Sequence, residues 1–101
     1  MHAGPPPEQF QRDHGCTLAE WLRWLPGAVA GHGLSLPTPD EAVVQIGPGE
    51  LRLHWQVPPP RQIAGVRLPR LLVDYRFSGL DAEQRRQFLR YFDLYMQRGG
   101  G

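Results

Sequence analysis

A chain of 101 residues with 41% hydrophobic and 21% charged side chains has the balance of one globular domain and no room for a second core. No apolar run approaches the roughly 18 residues of a membrane span, which excludes a spanning helix. The net charge of +1 excludes a global pull toward nucleic acid or acidic lipid. All eleven basic residues are arginine, as codon bias in a GC-rich bacterial genome produces. The single Cys16 forbids an intramolecular disulfide, and the opening MHAGPPPEQF lacks the basic and apolar regions of a secretory signal. The cytoplasm is therefore the expected compartment.

Residues 1–16 carry Pro5-Pro6-Pro7 and no sustained period, and read as a flexible arm. Thr17 and Glu20 then form a capping box, followed by Leu18, Trp21, Leu22 and Leu25 at helical spacing. Pro26-Gly27 predicts the end of that helix. Residues 28–40 read as a connector whose Val29, Leu34 and Leu36 still have core to pack on.

Residues 42–46 read as a short strand. Residues 50–57 alternate, with Leu51, Leu53, Trp55 and Val57 on one face and Glu50, Arg52, His54 and Gln56 on the other. Between them Gly47-Pro48-Gly49-Glu50 fits a four-residue type II turn, pairing Ile46 with Leu51 and Val44 with Leu53. Residues 62–68 are demoted to an edge strand or extended loop by Gly65 and Pro69. Residues 70–77 alternate again, placing Leu71, Val73, Tyr75 and Phe77 opposite Arg70, Asp74 and Arg76. The last helix opens at Asp81, capped with Gln84, and runs to about Arg98.

The expected fold is an α+β two-layer sandwich, ordered helix–hairpin–one or two strands–helix, with helices on one face of a small antiparallel sheet. The folded unit spans 17–98, and 99–101 form a flexible glycine tail.

Chemistry is sparse. His14 and Cys16 are the only His/Cys pair close in sequence, and zinc needs three or four ligands. Lying just before Thr17, Cys16 is placed to feel the helix N-terminus, which lowers a thiol pKa, but no partner base is evident. Gly27, Gly31 and Gly33 match neither a phosphate loop nor a dinucleotide fingerprint. No catalytic, metal or cofactor residue is assigned.

Two surfaces remain. Arg52, His54, Arg70 and Arg76 share the solvent face of the sheet, near Arg61 and Arg67, and form a candidate anion-binding face. Because Trp55, Tyr75 and Phe77 fall on the opposite side, the stacking platform for nucleic acid is missing, which argues against that partner. In the last helix, Phe88, Leu89, Tyr91, Phe92, Tyr95 and Met96 cover about 160° and Leu94 widens the arc to about 220°, where a stripe of about 100° faces a core. Trp24 lies similarly off the first helix's stripe. Trp24, Tyr91, Leu94 and Tyr95 are the candidate protein interface.

The expected function is that of a small non-catalytic binding or accessory protein acting through protein–protein contact or self-association. Anion or nucleic-acid binding on the arginine face is the alternative. An enzyme whose site assembles from distant residues is a further one.

Overall fold

The computed structural model describes residues 4–59 and 61–99. In chain order the elements are β1 (Gln9–His14), α1 (Leu18–Ala28), β2 (Gly33–Thr38), β3 (Glu41–Ile46), β4 (Gly49–Gln56), β5 (Arg61–Ile63), β6 (Val66–Leu68), β7 (Leu71–Ser78) and α2 (Ala82–Gln97). β1, β7, β4, β3 and β2 lie side by side in that order as one antiparallel five-stranded sheet, and β5 and β6 make a separate two-stranded ribbon.

This overturns the helix-first order and the small sheet expected from the sequence. Two strands arise where an arm and a connector were expected, β1 by pairing with β7 far along the chain and β2 by a short hairpin with β3. β1 pairs with β7 from Gln9↔Arg76 to His14↔Leu71, and Phe10 stacks on Tyr75 with ring centroids 4.6 Å apart. β2 carries Pro37 and a register shift between Ser35 and Thr38. An edge strand tolerates both, because one side of its ladder needs no partner. Of the expected glycine tail, Gly100 and Gly101 lie outside the described residues.

The β3–β4 hairpin is also tighter than expected. Ile46 pairs with Gly49 and Val44 with Leu51, so only Gly47 and Pro48 form the loop. Gly47 has φ +54° and proline follows it, the signature of a type II′ turn, whose twist matches that of the strands it joins. The register differs from expectation by two residues, and side chains therefore keep their faces. In the ribbon, Ala64 and Gly65 have φ +52° and +81°, as a two-residue type I′ turn requires.

The core lies between one sheet face and both helices. Ala42, Val44, Leu51, Leu53, Trp55, Leu71, Val73 and Tyr75 from the sheet form one cluster with Trp21 and Leu25 of α1 and Phe88, Leu89 and Phe92 of α2. Trp21 sits at its centre, edge-on to Trp55 at 5.8 Å and to Phe92 at 6.1 Å. Pro26 does not end α1 but lies within its last turn, and Gly27 serves the helix–helix contact instead. The opposite sheet face, bearing Arg52, His54 and Arg76, is exposed.

Candidate functional site

The Asp81–Gln84 capping box starts α2 and fixes its rotation, with Phe88, Leu89 and Phe92 buried against the sheet. Tyr91 and Leu94 project from the other side and are 48% and 47% exposed. Below Tyr91 is a cleft of about 270 Å³, lined by His32, Ile46, Gln84, Gln87 and Phe88 among others. The other two expected interface residues sit differently. Tyr95 packs against the core and reaches across to α1, where its phenolic oxygen would lie 2.0 Å from a Cβ on Gly27. Trp24 is half-buried and also packs against the core, with Gly99 beside its ring.

On the open sheet face, β4–β7 pairing sets Arg52 directly opposite Arg76 and His54 opposite Asp74. Carboxylates offset most of this charge. Arg52 Nε lies 2.8 Å from Glu50, and His54 lies 3.2 Å from Asp40 and 3.8 Å from Asp74. The Asp40 carboxyl is held below its ordinary range, first by the Thr38 hydroxyl that donates to it and then by His54. Arg70 precedes β7 and stands apart from the others, bound to Asp13 of β1 at 2.7 Å. Arg61 and Arg67 belong to β5 and β6, outside the main sheet. Among the described residues, the Arg76 side chain makes no ion pair or hydrogen bond.

A third cluster has no counterpart among the candidates read from the sequence. Arg12 of β1 forms an ion pair with Asp93 of α2 while its guanidinium covers the rings of Phe10 and Tyr75 at 5.0 and 5.2 Å. Two residues on, His14 Nε2 is 2.7 Å from the Tyr75 hydroxyl. Burial, with Arg12 close by, pushes the His14 pKa down, and burial pushes that of Tyr75 up. Both are neutral at pH 7. Cys16 is buried as well, and desolvation, with Glu20 adding to it, raises its thiol to about 11. Burial thus outweighs any pull from the α1 N-terminus and leaves a protonated thiol, which is a poor nucleophile. Alternation of Phe10, Arg12 and His14 against Gln9, Gln11 and Asp13 was the one local signal for this strand.

Among the described residues no group of three or more His, Cys, Asp and Glu side chains is placed to hold a metal ion, and no helix is long and apolar enough to cross a membrane. The chain matches no protein-family model, no curated protein and no solved structure.

Proposed function

We propose that this is a non-catalytic protein-contact module, cytoplasmic, whose contact surface is the outer flank of α2 at Tyr91 and Leu94. The observation that carries the reading is the exposure of these two large apolar side chains beside a cleft of about 270 Å³. An exposed aromatic next to a socket suits a contact site, because a partner side chain that fills the socket sheds water on both sides. The contact is with a second copy or a different protein. Tyr95 and Trp24 support the flank from behind as helix packing.

Sedimentation velocity and circular dichroism test it. Tyr91→Glu and Leu94→Glu should weaken association with a second copy, or with the partner that co-purifies, while the domain stays folded. A wild type that is monomeric and captures no protein, together with a Leu94→Glu variant that unfolds, overturns the reading.

A second reading, anion binding on the open sheet face, draws on the Arg52–Arg76 juxtaposition and the unpaired Arg76. Steep loss of affinity for single-stranded nucleic acid with added salt, and its abolition by Arg52→Gln and Arg76→Gln, is its test. No binding at low salt removes it.

A further inference from the structure

The two edges of the sheet are built differently. β2 is closed to further pairing by Pro37 and a register shift. β1 has neither, and pairs with β7 in unbroken register over six residues. The bond from Phe77 N–H to Glu8 C=O, at 2.7 Å, sets the phase of that ladder. Backbone groups of Phe10, Arg12 and His14 turn toward β7, while those of Gln9 and Gln11 turn outward. Among the described residues nothing bonds to them.

This edge, open at Gln9 and Gln11, forms one wall of a groove. α2 forms the other, and two clefts of about 660 and 550 Å³ meet at the Arg12–Asp93 pair and together follow β1 from Phe10 to Gly15. The floor is apolar, with Phe10 half-buried and Leu89 buried. At one end Arg85 Nε holds the carbonyl of Pro6 at 2.9 Å, which seats the proline segment as a wall. The rim is basic. Arg86 is tied to Glu83 and Arg12 to Asp93, but the Arg90 side chain makes no ion pair or hydrogen bond among the described residues.

We propose that this groove binds an extended acidic segment of a partner protein, which adds to the sheet as a sixth strand on β1. Strand addition supplies affinity through main-chain hydrogen bonds, and specificity through alternate side chains. One set of alternate side chains lies over Leu89 and Phe10, and acidic groups reach Arg86 and Arg90. A second copy fits less well. Two-fold pairing of β1 with itself would bring the Arg86 and Arg90 flanks of both α2 helices to the same side of the joined sheet. The site is separate from the Tyr91–Leu94 flank, and the proposal stands without it.

The probe is a fluorescein-labelled alternating valine–glutamate heptapeptide, titrated into the full chain and followed by anisotropy. It should bind, whereas the valine–lysine counterpart and a version N-methylated at alternate backbone nitrogens should each bind at least about tenfold more weakly. Arg90→Glu should reverse the charge preference, Leu94→Glu should leave binding unchanged, and bound peptide should slow amide exchange at Gln9 and Gln11. The proposal is overturned if the glutamate peptide fails to bind at about 1 mM, if both charge forms bind alike, or if N-methylation has no effect. Abolition by Leu94→Glu overturns it too, by moving the site to the other flank. So does a peptide-free dimer with Gln9 and Gln11 already protected, which would make a second copy the occupant.

Discussion

Gly27 and Tyr95 fit together so closely that a single methyl group separates packing from collision: a Cβ on Gly27 would lie 2.0 Å from the Tyr95 oxygen and 2.4 Å from its Cζ. Two opposing effects follow for Gly27→Ala. Alanine favours the helix by about 0.5–1 kcal/mol, while the displaced tyrosine ring costs about 1–3 kcal/mol. The substitution should therefore destabilise the wild type by about 1 kcal/mol and stabilise a Tyr95→Ala background. Urea titrations of the four proteins read this change of sign directly, and equal effects in both backgrounds would show that the two residues are not coupled.

Arg52 and Arg76 face each other across β4 and β7. Like charges in that position are destabilising, so Arg76→Glu should raise stability by about 0.2–1 kcal/mol. Added salt should shrink the gain, because both side chains are exposed. Thermal melts at low and high ionic strength measure it.

His14 makes stability depend on pH. Its folded pKa lies below the ordinary value, so the unfolded chain takes up the proton first as pH falls. The contribution is fully present above about 6.5, the unfolded pKa, and is lost as pH falls through the folded one. The urea midpoint should drop across that window, and His14→Gln should flatten the drop, whatever its cost at neutral pH. An unchanged slope would assign the pH dependence to other groups.

Cys16, with its thiol at about 11 and its side chain buried, should react with a disulfide reagent at pH 7.5 only as fast as the domain opens. Full and rapid labelling of the native protein would contradict its burial.

The features that local chemistry determines were legible in the sequence. Thr17 and Glu20 cap α1 within four residues, and Asp81 and Gln84 do the same for α2. Leu51, Leu53 and Trp55 alternate within β4 itself, and all three are buried. The outward angle of Tyr91 and Leu94 likewise belongs to the helix alone. Most of what stayed hidden depends on partners outside the element itself. β1 carries a single strong apolar residue, Phe10, and its pairing depends on β7. Pro26 suggests a helix end unless the carbonyls around it are known to be satisfied by the following turn, as when Val29 N–H donates to Leu25. The Arg12–Asp93 pair joins positions 81 residues apart, and nothing in either neighbourhood announces the other. Tyr95 and Trp24 looked like surplus surface because the place where α1 crosses α2 is a tertiary fact.

The pairing of β1 with β7 also sets the order in which the chain assembles. β2, β3 and β4 are consecutive and zip through short turns, so their ladder closes small loops. Gln11 meets Asp74 only across 63 residues. Closing so long a loop carries an entropic cost that the nearer contacts do not. β1, synthesised well before the strand it joins, is thus among the last of these strands to find its place. Until β7 arrives, Phe10 and the hydrogen-bonding edge of β1 stay open to other chains.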